Sequence, residues 1–390
     1  MCGRPFFKTM TMFLTDVQIM IRELAESFAM SELRPHAAAW DKAGELDRAT
    51  LVALGQLGFG GIYTRDAFGG AGLGRLDAAL IFEQLSRGDV SHAAFLSIHN
   101  MATWMIDCFS SDELRARYVP RLTSSELIAS YCLTEPGAGS DAASLTTTAR
   151  RDGEEYVLNG SKAFISGAGF SDVYVVMART ADEGARGISA FVVDKDSPGL
   201  SFGKPEDKMG WRAQPTAMVN FDDCRIPVSN RVGDEGQGFR IAMAGLDGGR
   251  LNIAACALGG AQDALDRAFS YVQERRQFGR AIIDFQATQF KLADMETEIA
   301  AARSLLYDAA RKVDADAPDK TKFCAMAKRF VTDTAFRVAN DALQLHGGYG
   351  YLGDYEVERI VRDLRVHQIL EGTNEIMRVI IAREMMRGRA

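Results

Sequence analysis

The stretch YVLNGSKAFIS, residues 156–166, marks the point at which the pattern of this chain changes. Its β-branched and aromatic residues are typical of strands, and the dipeptide Asn159-Gly160 favours the tight turn of a β-hairpin. The stretch therefore predicts two strands joined at that turn. Further β-rich runs, separated by Gly and Pro, follow at residues 173–178, 188–194 and 218–221. We expect a small β domain at residues 129–232.

The segments on either side of this β domain have helical periodicity. From Asp16 onward, apolar residues recur at intervals of three and four, and Thr15 is a suitable N-cap. The periodicity returns in long pieces at residues 238–273, 285–315, 321–345 and 372–388. Two of these pieces exceed about 25 residues, which favours a helical bundle. The order helical, β, helical predicts three domains, at residues 1–128, 129–232 and 233–390.

The composition is that of an ordinary globular protein. The 390 residues are 47% hydrophobic and 25% charged, so the chain can bury a large core in about two or three domains. The net charge of −7 comes without a basic block, which argues against nucleic-acid binding. No apolar run reaches the roughly 18 residues that span a bilayer. The six cysteines contain no C-x-x-C pair, so we expect reduced thiols and neither a metal site nor a disulfide framework. We expect residues 1–14 to be a ragged N-terminal segment, since they are too short and too polar for a secretory signal.

The glycine-rich stretch at residues 137–142 fits the pattern G-x-G-x-x-A of dinucleotide-binding folds. That fold requires a strand before the glycines and a helix that opens among them, whereas Pro136 precedes them here and a β pattern follows. We therefore exclude a nicotinamide site of this type. The loop from Thr134 to Ser140 still offers backbone N–H groups with little obstruction. It is either a loop that binds a flat ring or an anion, or an ordinary tight connection.

The stretch QILEGTNEIM, residues 368–377, places two glutamates four residues apart among apolar side chains. Glu371 precedes a glycine, and Thr373-Asn374 is suited to cap a helix. One interpretation is that Glu371 ends one segment and Glu375 begins the next. The other interpretation is that Glu371 is a catalytic base in an apolar setting.

Three longer motifs resemble the signatures of the acyl-CoA dehydrogenase family of flavoenzymes. They are YCLTEPGAGSD at residues 131–141, ERRQFG at 274–279, and QLHGGYG at 344–350, which is followed by RDLRVHQILEGTNE at 362–375. The resemblance covers nearly the whole chain and agrees with the helical–β–helical order. It implies a mostly α fold with a central β domain: an N-terminal helical domain, a small β-barrel domain and a C-terminal four-helix bundle.

The resemblance also implies that FAD lies between the β domain and the C-terminal bundle. The first motif and residues 164–166 would contact the isoalloxazine ring, and the turn after Glu371 would face it. In a homotetramer, which is usual in this family, ERRQFG and QLHGG would serve the FAD of a neighbouring subunit, with Arg275 opposite the pyrophosphate. The expected FAD contacts are Tyr131, Leu133, Thr134, Gly139, Ser140, Phe164, Ile165, Ser166, Arg275, Phe278, Gln286, Gln344, His346, Gly347, Gly348, Thr373, Asn374 and Glu375.

The family reaction removes the α-hydrogen of an acyl-CoA thioester as a proton and passes the β-hydrogen as hydride to flavin N5. By its position in LEGTN, Glu371 matches the catalytic base, and burial would raise its pKa toward the working pH. Some relatives carry the base on a preceding helix, at the position of Gly249, and a glycine cannot abstract a proton. The expected substrate contacts are Ser140, Asp247, Arg250, Gly372 and Arg383.

Within the family, the motifs resemble those of short and branched-chain members that act on isobutyryl-CoA. This implies oxidation of isobutyryl-CoA to methacrylyl-CoA in valine breakdown, with 2-methylbutyryl-CoA or butyryl-CoA as alternative substrates and an electron-transferring flavoprotein as electron acceptor. An acyl-CoA oxidase usually has a longer C-terminal region than this chain, which stops at Ala390. A nucleic-acid-binding relative would carry a basic C-terminal region, whereas only residues 387–389 are basic here. We expect the protein in the cytoplasm or in the mitochondrial matrix.

Overall fold

The computed structural model describes residues 14–387. The expectations for residues 1–13 and 388–390, including most of the ragged N-terminal segment and the end of the basic tail, lie outside the described residues. No helix in the described part of the chain is both long enough and apolar enough to cross a membrane.

The N-terminal part is helical, as its periodicity predicts. Thr15 caps the first helix: its hydroxyl accepts a hydrogen bond from the Gln18 N–H, and the Gln18 side chain accepts one from the Thr15 N–H. The fourth and fifth helices are buried over most of their surface and form the centre of this part. The helices are α1 (Asp16–Phe28), α2 (Ala37–Ala43), α3 (Arg48–Gln56), α4 (Arg75–Gly88), α5 (Val90–Phe109) and α6 (Asp112–Thr123).

The expected β domain forms one eight-stranded sheet. Its strands are β1 (Ala129–Cys132), β2 (Thr148–Asp152), β3 (Glu155–Ser166), β4 (Val173–Arg179), β5 (Ile188–Asp194), β6 (Leu200–Phe202), β7 (Thr216–Pro227) and β8 (Arg231–Val232). They follow the order β6-β7-β3-β2-β4-β5-β8, and β1 runs parallel to β4. Among the described residues no ladder joins β6 to β8, so the sheet has open ends where the resemblance implies a barrel.

The predicted hairpin at Asn159-Gly160 is wrong. Residues 155–166 form the single strand β3, which pairs with β2 on one side and with β7 on the other. The register against β7 shifts between Leu158 and Gly160, so the dipeptide forms an irregularity within a strand. Gly160 has a φ of +140°, and a Cβ there would lie 2.6 Å from the Thr147 hydroxyl, so only glycine fits. Whether Asn159-Gly160 forms a turn or a bulge depends on the partner strands β2 and β7, and the local sequence does not reveal these partners.

The C-terminal part contains the long helices that the sequence predicts. Its elements are α7 (Gly238–Glu274), the hairpin of β9 (Arg276–Gln277) and β10 (Arg280–Ala281), α8 (Gln286–Asp314), α9 (Lys320–His346), α10 (Val357–Arg365) and α11 (Asn374–Arg387). The four predicted pieces correspond to α7, α8, α9 and α11, and α9 packs against the other three to form the bundle. The short helix α10 and the hairpin were not predicted.

The three parts share their apolar cores. One cluster contains residues of α1, α4 and α5 together with residues of α7 to α10, so the two helical parts pack on each other. A second cluster joins α5 and α6 to β1, β4 and β5. A buried ion pair at 3.1 Å between Arg359 of α10 and Asp89 also connects the two helical parts. The exact domain boundaries, after residues 128 and 232, stay a prediction.

Candidate active site

Glu371 lies in the turn between α10 and α11. Its φ of +53° and the φ of +87° at Gly372 place two consecutive residues in the left-handed region. This conformation costs a non-glycine residue roughly 1–3 kcal/mol and persists only where the surroundings hold it. Thr373 then caps α11, because its hydroxyl accepts a hydrogen bond from the Ile376 N–H at 3.3 Å. The backbone N–H of Glu371 has no acceptor among residues 14–387.

The carboxylate of Glu371 occupies a space that a glycine on α7 leaves open. Its Oε2 has no access to solvent and no hydrogen-bond partner in the described part of the chain. A Cβ at Gly249 would lie 2.4 Å from this oxygen and 3.0 Å from Met101 Sδ. Gly249, the helix position at which the family resemblance implied an alternative place for the base, therefore faces the same point in space. In this chain the carboxylate reaches that point from the turn.

Two buried cations hold the turn from two helices. Arg250 of α7 is 4% exposed, and its Nε lies 3.5 Å from the Glu371 carbonyl oxygen. Lys328 of α9 is fully buried, and its Nζ donates to the Gly372 carbonyl and to Asn374 Oδ1, both at 2.9 Å. The motifs identified Arg250, although as a substrate contact, and they did not identify Lys328.

The surroundings of Glu371 bring the pKa of its carboxyl close to neutral pH. Burial raises the pKa of its carboxyl to about 7, while the positive charges of Arg250 and Lys328 oppose this rise. Burial also lowers the pKa of Lys328 to about 7, and Glu371 is the main influence against this decrease. A carboxyl with a pKa near 7 can accept and return a proton at physiological pH. Glu375, by contrast, is exposed and pairs with Arg378 at 3.6 Å.

The negative charge of Glu371 acts on two buried tyrosines, Tyr131 and Tyr63. The hydroxyl of Tyr131 is buried without a partner in the described chain, and burial together with the negative charge of Glu371 raises its pKa. Burial and the same negative charge raise the pKa of Tyr63. The Arg75 guanidinium lies 3.6 Å from the ring centre of Tyr63 and 5.2 Å from that of Trp104. Tyr131 belongs to β1 and to the motif at residues 131–141. Tyr63, Arg75 and Trp104 come from the loop before α4, from α4 and from α5, which no motif covered.

The loop that follows β1 is fixed by a buried ion pair. Lys162 donates to Glu135 at 2.7 Å and to the Leu133 carbonyl at 3.1 Å. Burial would raise the pKa of Glu135, but Lys162 and hydrogen bonds from the loop before β2 hold it at about 2. The Ala163 N–H donates to the Thr134 carbonyl at 2.8 Å. The loop is therefore held beside the second half of β3.

The face formed by this loop and β3 has the features of a site for a flat ligand. Gly139 and Ser140 are exposed, and nothing lies within 4 Å of a Cβ built at Gly139. Phe164 is 69% exposed at a φ of +57°, so a strained backbone presents an aromatic side chain to solvent. Nearby, Gln214 donates to Ser166 Oγ at 3.3 Å, while its Oε1 is buried with no partner in the described chain. Buried polar atoms rarely remain unpaired, so this oxygen indicates a ligand with hydrogen-bonding groups. The residues present therefore fit a flavin.

Most of the other predicted FAD contacts gather at the β9–β10 hairpin and the end of α9. Phe278 is 93% exposed at a φ of +53°, at the tip of the hairpin. The Arg275 guanidinium lies 5.4 Å from the ring centre of Tyr349, and His346 stacks on Tyr271 with ring centres 4.5 Å apart. His346 is buried, whereas the other predicted residues here are exposed: Arg275, Phe278, Gln286, Gln344, Gly347 and Gly348.

Three predicted contacts have side chains that bind other parts of the chain. Asp247 pairs with Arg250 at 2.7 Å. The Asn374 amide bonds to three side chains of α9. Arg383 is exposed and pairs with Glu384 at 3.3 Å. The roles of these residues toward FAD or substrate stay predictions.

Comparison with protein families matches all three parts of the chain. Models of the acyl-CoA dehydrogenase N-terminal, middle and C-terminal domains match residues 15–126, 130–224 and 236–386. Among curated proteins, the mitochondrial isobutyryl-CoA dehydrogenase of Dictyostelium discoideum is 54% identical over 373 residues, which cover 95% of this chain and 90% of that protein.

Solved structures with the same fold lead to the same assignment. Butyryl-CoA dehydrogenase from Megasphaera elsdenii has a TM-score of 0.93 at 39% identity, covering 96% of this chain and 99% of that one. The FAD complex of PigA has a TM-score of 0.92 at 33% identity, covering 96% of this chain and 98% of that one. These matches confirm the resemblance inferred from the motifs and the expected helical–β–helical fold. The chain belongs to the acyl-CoA dehydrogenase family.

Proposed function

We propose that this FAD-dependent enzyme oxidises isobutyryl-CoA to methacrylyl-CoA, a step of valine breakdown, and that Glu371 removes the α-proton. The observation that carries the proposal is the Glu371 carboxylate, which faces Gly249 with its Oε2 buried and unpaired in the described chain. Its pKa of about 7 suits a base that works at neutral pH. The isobutyryl-CoA dehydrogenase relative described above supports the choice of acyl group.

The groups of the chain itself account for the removal of the proton. Ionised Glu371 accepts the α-proton at a carboxylate oxygen that has no competing hydrogen bond in the described chain. The Glu371 backbone N–H is available to donate to the thioester carbonyl, where it would stabilise the negative charge that develops as the proton leaves. Burial then favours the neutral carboxyl that results. FAD, when bound at this site, would supply the redox chemistry as the hydride acceptor.

We propose that the loop after β1 and the end of β3 hold the flavin ring. The open backbone at Gly139, the exposed Phe164 and the unpaired Gln214 oxygen support this placement. The residues assigned to the ring are Tyr131, Leu133, Thr134, Gly139, Ser140, Phe164, Ile165, Ser166, Thr373, Asn374 and Glu375. Of these, Asn374 already bonds to α9 through its side-chain amide, and Glu375 is exposed and pairs with Arg378.

We also propose a homotetramer in which the hairpin of one subunit completes the FAD site of another. The 93% exposure of Phe278 at the tip of the hairpin supports this assembly, since it leaves the ring free to contact a neighbouring subunit. Arg275, Gln286, Gln344 and the exposed glycines after His346 lie at the same end. The proposed electron acceptor is an electron-transferring flavoprotein, and the proposed location is the cytoplasm or the mitochondrial matrix.

The acyl group is the part of the proposal that needs the most direct test. One methylene in an apolar pocket is worth roughly 1–3 kcal/mol, so 2-methylbutyryl-CoA and butyryl-CoA are expected to react more slowly rather than not at all. The purified protein should show a flavin absorption spectrum. Under anaerobic conditions, isobutyryl-CoA should bleach it and yield methacrylyl-CoA, identified by mass spectrometry, with the highest kcat/KM of the three thioesters.

Each other outcome of this experiment changes a different part of the proposal. A higher kcat/KM for butyryl-CoA would contradict the isobutyryl assignment. A yellow protein that none of the three thioesters bleaches would contradict the substrate class. Rapid release of hydrogen peroxide in air during turnover would assign the protein as an oxidase that passes electrons to O₂.

A further inference from the structure

Lys328 is a buried lysine that no motif of the family resemblance singled out. It lies on α9, on the face that carries the buried residues Cys324 and Thr332. Its side chain has no solvent exposure, and its two hydrogen bonds go to the Gly372 carbonyl and to Asn374 Oδ1. Burying an ammonium group is costly unless it is paired and hydrogen-bonded, so packing alone does not explain a lysine here.

The contacts of Lys328 attach the turn that carries Glu371 to α9. Asn374, which Lys328 contacts, also donates to two further side chains of α9 at 3.0 and 2.7 Å. On the other helix, Arg250 lies next to the carbonyl of Glu371. The carbonyl oxygens of two consecutive residues with left-handed backbone thus each face a buried cation. This arrangement can hold a strained turn in one position.

Charged groups from each neighbouring element contribute to the electrostatics of Lys328. Glu371 in the turn favours its charged form, and so do Asp333 of α9 and Glu375 of α11, whereas Arg250 of α7 opposes it. For the carboxyl of Glu371, Arg250 and Lys328 are the two positive charges that counteract burial. The negative charge of Glu371 in turn contributes to the raised pKa values of Tyr63, Tyr131 and Cys256.

We propose that Lys328 is a positioning residue for Glu371: it holds the turn against α9, and its positive charge favours the ionised carboxylate that can accept a proton. This inference rests on the proposed role of Glu371 as the base. A purely structural role for Lys328 would also make substitution destabilising, but it would leave the protonation of Glu371 independent of the charge at position 328.

The direction of the expected pH effect follows from the raised pKa of Glu371. The base must be ionised, so proton abstraction is lost as the pH falls through about 7. The positive charge of Lys328 lowers the pKa of this carboxyl. Replacing Lys328 by an uncharged side chain should therefore raise that pKa and move the loss of activity to higher pH.

The protonation of Glu371 can be measured directly by infrared difference titration of the FAD-loaded enzyme. The band of its protonated carboxyl is the one that is absent from Glu371→Gln. In Lys328→Met, we expect its midpoint to rise by on the order of one pH unit. In Lys328→Arg, which keeps a permanent positive charge, we expect a midpoint no higher than that of the wild type. The acidic limb of the flavin-reduction rate should move in parallel, while KM changes less than kcat.

Two results would overturn the inference. One is an unchanged midpoint in Lys328→Met, and the other is the same upward shift in Lys328→Met and Lys328→Arg, which would point to lost packing. If Lys328→Met does not retain FAD, Lys328→Gln makes the same test with an uncharged polar side chain. Because the titration requires no turnover, it gives an answer even if isobutyryl-CoA is not the substrate, so failure of this inference is distinct from failure of the proposed function.

Discussion

At the scale of single residues, the motifs named the proposed base and two of its neighbours, Arg250 and Tyr131, but not Lys328. Glu371 can be found because LEGTN is a contiguous pattern. Lys328 and Arg250 contact its turn from far away in sequence. One local signal was available for Lys328, because it falls in the buried stripe of α9 that includes Cys324, Val331 and Ala335. A lysine at an apolar position of a helix indicates a buried partner for its charge.

Gly249 is the residue whose substitution tests the geometry around the carboxylate. A Cβ there would lie 2.4 Å from Glu371 Oε2, so the carboxylate must move in Gly249→Ala. We expect this variant to keep FAD and to lose at least tenfold in the rate of anaerobic flavin reduction, which corresponds to about 1.4 kcal/mol in the barrier. Gly353→Ala is the control, because a Cβ there meets nothing closer than 3.9 Å. Equal rates for Gly249→Ala and the wild type would contradict the position assigned to the carboxylate.

At the scale of elements, helices were predicted more accurately than strands. The ends of α7, α8, α9 and α11 fall within two residues of the predicted bounds, because the apolar periodicity of a long helix is a local property. The strand β3 was predicted as a hairpin, because the choice between turn and bulge depends on β2 and β7. The ion pair of Lys162 with Glu135 was not predicted either, since neither residue reveals its burial in the sequence.

This ion pair gives a prediction about the element that is proposed to face the flavin. In Lys162→Met, Glu135 keeps its charge in a buried position without its cation, which should lower the free energy of unfolding by about 3–5 kcal/mol. Because Lys162 also holds the Leu133 carbonyl, FAD occupancy should fall. Urea unfolding in excess FAD and the flavin absorbance measure the two effects.

The matched control for this variant is Lys204→Met, because Lys204 is an exposed lysine of the same β domain. The control should change the free energy of unfolding by less than about 0.5 kcal/mol. The double variant Lys162→Met/Glu135→Leu should recover part of the loss, because it removes the uncompensated charge. If Lys162→Met were as stable as the control, the ion pair would not be what fixes this loop.

At the scale of the whole molecule, the order helical, β, helical could be predicted, because composition and periodicity change along the chain. The packing of the three parts could not be predicted. α1, α4 and α5 share one core with α7 to α10, and that arrangement depends on which apolar faces meet. It determines that the turn with Glu371 lies against α7 and α9.

The proposed assembly gives a prediction at this scale. Covering an exposed Phe side chain contributes roughly 1.5–3 kcal/mol, and each subunit of a tetramer would cover one Phe278. In Phe278→Ser we therefore expect a smaller fraction of tetramer at micromolar concentration, measured by light scattering, together with lower FAD occupancy. Val17→Ser is the control, because Val17 is 60% exposed on α1, outside the proposed FAD-contact cluster. A wild-type protein that is monomeric with full FAD would rule out the assembly.

The most direct test of the central claim is rapid-mixing measurement of flavin reduction by isobutyryl-CoA in Glu371→Gln. Glu113→Gln is the matched control, since it makes the same change at an exposed position of α6. We predict that both variants bind FAD and that Glu113→Gln reduces it at the wild-type rate. In Glu371→Gln the rate of flavin reduction should fall by a factor of about 10²–10⁴, which is the range that a positioned base contributes. Flavin reduction by Glu371→Gln at the wild-type rate would contradict the assignment of Glu371 as the base.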